Sequence, residues 1–267
     1  MDGGRDPEFL YTLLVAASGN RDNELTHAAA ASYLKTRPDL LTDRNLKLLP
    51  RITKKTSDPG FAVLRNHAVH ADQVLGKGYS AEIVKTIIFD ELVLPVIRIG
   101  GEKIDYGMIQ FYKGELAKNV DWDQLKAQLD LKYPEYSREL LLSSKLTYLD
   151  WSENWPLLNN TIADSLAVNK NAISSGQLKT LANKFFLVVD DIKILQETLA
   201  WAKLNLMNLE DKDDKLNFMV TYAQLLDKAG QKNEAIKQLR TTVQLSEGKV
   251  QYYIDMLGEM EKRNKIK

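Results

Sequence analysis

An all-α protein built of antiparallel helical hairpins is what this sequence predicts, on three observations. Gly and Pro number only 14 and 7 in 267 residues, well short of a background near 12% in globular proteins. Long helices tolerate that scarcity; a strand-and-turn fold does not. Capping residues and helix stops alternate from one end of the chain to the other. In the second half, apolar positions recur at helical spacing over segments separated by short connections, which makes sequential helices antiparallel neighbours.

The elements follow in order along the chain. Asp6 as N-cap and Pro7 at the first helical position open a helix that ends at Gly19. A second runs over 22–35 and stops at Arg37-Pro38. Thr42 caps a third reaching toward Lys54, which Pro50 can shorten. Ser57-Asp58-Pro59 opens the next, ending near Gly76, and Ser80 caps a restart with Glu82 in its first turn. Leu92 to Ile99 is the one β-like run, and a buried helix broken at Pro95 and ended by Gly100-Gly101 fits it equally. Asp121 then caps 122–131, and Pro134 begins a helix to Tyr148. Further helices are expected over 153–168, 176–189, 191–208, 214–229, 231–246 and 249–263. The Gly-rich stretch 100–120 is the weakest joint, dividing N-terminal hairpins over 1–100 from a tetratricopeptide-like helical array over 101–267; one continuous solenoid is the alternative.

Composition narrows the function classes. Lys plus Arg equals Asp plus Glu at 36 each, so no net field recruits nucleic acid or an anionic membrane. Apolar residues at 44% and charged residues at 27% are those of a soluble globular protein. With no cysteine in the chain, these residues hold no thiolate nucleophile, disulfide, Fe–S cluster or CxxC redox site. The longest apolar run, Leu92 to Ile97, falls far short of the roughly 20 residues of a membrane span, so no membrane insertion is expected. Phe9 to Ala17 has the look of a signal-peptide core. Asp2, Asp6 and Glu8, against Arg5 as the lone cation, give it the wrong charge.

The last two complete hairpins carry a repeat signal. Tyr222, Ala223, Leu226, Gly230, Ala235 and Leu239 stand at positions that resemble the tetratricopeptide signature. Gly230 closes one helix, and the small Ala235 lets the next approach it; Ala229 lies off the signature and is expected to tolerate a larger side chain. Shifted back, Leu181, Ala182, Phe185 and Ile194 fall into the same places more faintly. Hairpins of this kind must stack to bury their apolar faces. The expected array is therefore a right-handed superhelix, tetratricopeptide-like at the C-terminal end.

A wider resemblance rests on Asp6-Pro7-Glu8-Phe9-Leu10, Tyr33-Leu34, Leu40-Leu41-Thr42 with Asn45, and Asp58-Pro59-Gly60-Phe61 with Leu64-Arg65-Asn66. It continues through Asp121-Trp122-Asp123, Val189-Asp190-Asp191, Ala200-Trp201-Ala202-Lys203 and Thr221-Tyr222-Ala223 with Lys228 and Gly230. In this order they resemble the helical C-terminal region of bacterial proteins that begin with a thioredoxin-like domain. The resemblance covers nearly the whole chain and fits least well over Leu92 to Gly107. It implies a non-enzymatic scaffold that accompanies a disulfide reductase domain in cis, contacts proteins, and is exported where the full protein carries the family's signal. The Trp-Cys-x-x-Cys site belongs to the upstream domain, so no catalytic residue and no cofactor carries over. Two other readings stand beside it: a standalone peptide-binding module of the same fold, and an all-α enzyme with another site.

Candidate sites are few. His67 and His70 lie three apart, but a zinc site needs two further ligands and no HExxH is present. Gly76-Lys77-Gly78-Tyr79-Ser80 lacks the earlier Gly of a phosphate loop and reads as a helix stop and restart. The carboxylate pairs Asp121/Asp123, Asp190/Asp191 and Asp213/Asp214 fall at helix starts, where they cap and complement the dipole. A peptide-binding face on the first helices of the hairpins is expected to present Lys179, Asn183, Asn217, Val220, Gln224, Asp227 and Lys228. Lys179 and Asn183 supply half of a clamp for a C-terminal carboxylate. Tyr148, Trp151 and Trp155 form the densest aromatic cluster, a candidate groove.

Overall fold

The computed structural model describes residues 6–20, 22–36, 38–106 and 109–265. Of the residues argued from above, Asp2, Arg5, Arg37 and Gly107 lie outside them. The fold is all-α, 75% helical, and divides into two compact units, Met1–Ser144 and Lys145–Lys267. No helix among the described residues is long and apolar enough to cross a membrane.

In the first unit, α1 (Pro7–Gly19) starts as its sequence dictates, with Asp6 accepting the Glu8 N–H at 3.2 Å. It buries Leu10, Leu14 and Ala17 and pairs with α2 (Asn23–Lys35). The helix expected from Thr42 toward Lys54 is two short ones instead, α3 (Asp43–Leu46) and α4 (Leu49–Ile52). Pro50 has no N–H to give the Leu46 carbonyl, so it sits in the first turn of a new helix rather than inside an old one. The next helix likewise breaks at His67, giving α5 (Pro59–Asn66) and α6 (Ala68–Leu75). In α5, Phe61 packs edge-on against Tyr133 at 6.0 Å.

Helix α7 (Tyr79–Ile88) begins one residue before the expected cap. Its N-cap is Gly78 at φ 77°, and the capping oxygens come from Asp72, which accepts from the Gly78 N–H, the Ser80 N–H and the Ser80 hydroxyl. The chain then stays helical where a strand was one alternative. A π-helical turn spans Phe89–Val93, and α8 (Leu94–Ile97) follows with Pro95 in its first turn.

The stretch that reads as a joint is an antiparallel hairpin inside the first unit, β1 (Arg98–Tyr106) and β2 (Ile109–Leu116). Its register shifts between Ile99 and Glu102. Gly100 takes φ 68° and Gly114 φ 93°, and a Cβ on Gly114 would lie 2.6 Å from the Ile99 carbonyl oxygen. These glycines build a bulge, not a linker. Two further helices follow, α9 (Trp122–Lys132), capped by Asp121, and α10 (Pro134–Trp151), within which the two units divide.

The second unit is helical throughout: α11 (Trp155–Val168), α12 (Ser175–Val188), α13 (Ile192–Asn208), α14 (Lys212–Lys228), α15 (Lys232–Leu245) and α16 (Gln251–Lys265). Asn154, Ser174, Asp191 and Asp211 cap the first four of these through side-chain oxygens. Asp213 and Asp214 lie in the first turn of α14, and the cap is Asp211. Gly230 ends α14 at φ 85°, with the Gln231 N–H returning to the Leu226 carbonyl. Ala223 and Ala235 are wholly buried. Ala229, expected to be tolerant, is buried as well at 3% exposure, because the turn behind it folds back onto α14.

Candidate functional site

Helices α12, α14 and α16 run in the same direction, which their polar ties establish. Along α12, Lys179, Asn183 and the Phe186 carbonyl meet Asp214, Thr221 and Lys228 of α14 in ascending order. Between α14 and α16, Asn217 accepts from the Tyr253 hydroxyl at 2.8 Å, 36 residues apart. Asp227 meets Arg263 at 3.5 Å with the same spacing. Burial raises the Tyr253 phenol's pKa, which keeps it a donor to Asn217.

These ties place the expected peptide-binding residues. Lys179 pairs with Asp214 at 2.9 Å, and Asn183 accepts from the Thr221 hydroxyl at 2.8 Å, so both residues of the expected half-clamp engage the neighbouring helix. Lys228 donates to the Phe186 carbonyl and pairs with Asp190, each at 2.8 Å. Gln224 is half-buried, Asn217 exposed. Val220 faces the interior at 4% exposure and presents nothing to a ligand: it lies one residue from Thr221, on the side of α14 that packs.

The aromatic cluster is distributed differently from its order in the sequence. Trp155 packs edge-on against Phe185 at 6.0 Å, and Phe185 against Trp201 at 5.8 Å. Lys184 lies over the Trp155 ring at 5.7 Å while pairing with Asp150 at 2.6 Å. Tyr148 and Trp151 are half-buried on α10. Trp155 is thus one end of a packed row completed by Phe185 and Trp201, which lie 30 and 46 positions further along the chain.

His67 occupies the break between α5 and α6, and His70 stands 3.8 Å from Asp43. Among the described residues no group of three His, Cys, Asp or Glu is placed to hold a metal ion. The Gly76 to Ser80 segment is occupied by the Asp72 carboxylate, whose pKa the Ser80 hydroxyl lowers, with the Ser80 and Gly78 N–H groups adding to it. An anion there would meet a negative charge.

Two concavities among the described residues bear on a site. An open cleft of about 470 Å³ between α15 and α16 is walled by Ile236, Lys237, Thr241 and Gln244, with the Arg240–Glu261 pair across it at 2.7 Å. A smaller cavity of about 240 Å³ lies among α11, the loop after it, α12 and α13, with Asn205 on its wall. Asn205 continues the buried stripe Ile194, Thr198 and Trp201; a carboxamide on an otherwise interior face is the signal by which the sequence could have revealed it.

Comparison with family models, with curated proteins and with solved structures returns no match for this chain.

Proposed function

We propose that this chain is a non-enzymatic helical scaffold for protein contacts, tetratricopeptide-like in its second unit. The observation that carries the reading is the common direction of α12, α14 and α16, tied at intervals close to the 34 residues of a tetratricopeptide repeat. Buried Ala223 and Ala235, and Gly230 in the left-handed region, support the same register. On this reading the hairpins stack as a right-handed superhelix, and an extended peptide lies along the face of α14 bearing Gln224, between Asn217 and Asp227, which Tyr253 and Arg263 of α16 hold in place. Association with a thioredoxin-like domain in cis, and export with it, follow from the sequence resemblance.

Panning a display library of random peptides against the chain tests the scaffold reading. Selected peptides are expected to lose binding with Gln224→Arg and Asp227→Lys. Peptides that bind both variants as well as the parent, or no selection at all, would overturn it. A coding frame running upstream into Trp-Cys-x-x-Cys supports the cis association; a frame without one favours a standalone peptide-binding protein.

A further inference from the structure

The hairpin of β1 and β2 has too few strands to hold itself in place, since an isolated two-stranded hairpin is marginal in water. It depends on what it packs against. Lys103 and Tyr112 stand directly opposite each other in its register, so both project from one face. That face meets the π-helical turn, a geometry that recurs at functional positions of helices. Tyr112 packs edge-on against Phe89 at 6.3 Å, and Lys103 pairs with Asp90 Oδ2 at 3.1 Å, the two side chains only 19% and 23% exposed.

Asp90 is poorly compensated for a charge in that position. Its Oδ1 is buried and accepts no hydrogen bond, so one of its two oxygens has left water without gaining a donor. The groups around it are Lys103 on β1, Tyr112 on β2 and Lys54 ahead of α5. On its own turn, Glu91 accepts from the Thr56 N–H at 3.0 Å; at the start of β1, Arg98 donates to the Tyr112 carbonyl at 2.5 Å. Taking a carboxylate out of water costs more than one ion pair returns unless its remaining lone pairs are also satisfied. Burial accordingly raises the Asp90 pKa, with Lys103 and Lys54 opposing it only in part.

We propose that the contact between Asp90 and Lys103 is a pH-dependent latch on the hairpin, which closes more firmly as Asp90 takes up a proton and slackens as it ionises. With the hairpin undocked, Asp90 is back in water and binds protons with ordinary affinity; docked, it binds them more tightly. Linkage then makes docking stronger as pH falls through the raised folded value. The gain is complete below the ordinary aspartate value of about 3.9. The contact of Phe89 with Tyr112 carries no charge in this range and keeps the hairpin seated at neutral pH. The latch uses no residue of the α14 face, so it stands or falls apart from the scaffold reading.

The test is amide hydrogen exchange of the whole chain, read by NMR from about pH 7.5 to about pH 4.5, above the ordinary aspartate range. Rates corrected for intrinsic exchange give opening constants for the protected amides of β1 and β2, with those of α14 as the reference. Hairpin opening should fall at least about threefold relative to α14 as pH is lowered. Asp90→Asn, of the same shape and uncharged, should hold the hairpin at the upper pH at least as firmly as the parent does and should lose the pH dependence. All three histidines remain in that variant, so a dependence that persists there belongs to them and overturns the proposal. Lys103→Gln withdraws the cation that opposes the shift and should move the midpoint of the transition to higher pH. Opening that rises or stays constant as pH falls would overturn the latch. So would a hairpin looser in Asp90→Asn than in the parent across the range, which would make the ion pair a structural tie, or a midpoint unmoved in Lys103→Gln.

Discussion

Trp201 donates its indole N–H to Asn159 Oδ1 at 2.7 Å, and Thr198 donates to the same oxygen at 3.1 Å. Asn159 is 1% exposed and Trp201 2%. One carboxamide on α11 therefore satisfies the buried indole donor of α13 and shares the single Thr198 hydroxyl hydrogen with the Ile194 carbonyl, 2.8 Å from that hydroxyl, while its Nδ2 donates to Glu197 at 3.1 Å. That fixes the rotation of α13, and with it the row Trp155, Phe185 and Trp201.

Asn159→Leu, close in volume, strands the indole N–H in an apolar setting. The expected loss is about 1–3 kcal/mol, read from urea unfolding. In a Trp201→Phe background that donor is gone, so the same substitution should cost less, with a coupling of at least about 0.5 kcal/mol. Additive losses would mean that the bond contributes nothing beyond packing.

Much of the second unit is legible in the sequence, because amphipathic spacing and the caps Asn154, Ser174, Asp191 and Asp211 act within a few residues of one another. The first unit is less so. Pro50 and His67 each break a helix that periodicity alone continues, and the hairpin depends on Gly100 and Gly114 adopting backbone angles open to glycine. Site residues divide the same way. Periodicity puts Lys179 and Asn183 on one face of α12, yet nothing local says that Asp214 and Thr221 will meet them from α14. Asn205 is legible only in part: its place on the buried stripe of α13 shows in the sequence, but its partner, the Ser175 carbonyl on α12, does not.

At the start of α7, the Asp72 carboxylate caps through three hydrogen bonds, and its pKa is lowered, chiefly by the Ser80 hydroxyl. A depressed folded-state value means that its contribution is present above the ordinary carboxylate range and is lost as pH falls through the folded value. Asp72→Ala should cost about 1 kcal/mol near neutrality, the usual worth of a helix cap. The gap between variant and parent should close in strongly acidic solution. A gap that persists unchanged to the acid limit would show that charge has no part in the cap.

Ala235 is wholly buried and Ala229 nearly so. Packed interiors have no spare volume, and overpacking typically costs about 1–3 kcal/mol. Ala235→Leu and Ala229→Leu should therefore both lower the thermal midpoint. Ala200→Leu, at an exposed position of α13, should stay within about 0.5 kcal/mol of the parent. A neutral Ala235→Leu would mean that α14 and α15 do not approach closely there, and would remove the support that Ala235 gives the repeat register.

Gly60 stands in the first turn of α5 with ordinary backbone angles, so its need for a bare Cα comes from a neighbour. A Cβ there would lie 2.1 Å from Thr53 Oγ1, 3.1 Å from Leu49 Cδ2 and 3.3 Å from Thr53 Cβ. Thr53 is 2% exposed, so its hydroxyl has little room to turn away. Gly60→Ala removes backbone entropy from the unfolded chain, worth about 0.4–1 kcal/mol in its favour, but the clash should outweigh it and leave a net loss of about 1–3 kcal/mol. Thr53→Ala deletes the nearest atom, an oxygen with no hydrogen-bond partner, and should itself be mild. Combining the two should recover part of the Gly60→Ala loss, though not all, since Leu49 still crowds the new methyl. A four-corner denaturation cycle reads the coupling. A coupling near zero would mean that α5 shifts as a body away from α4, and that the close approach of Gly60 to Thr53 is not what holds the two helices in place.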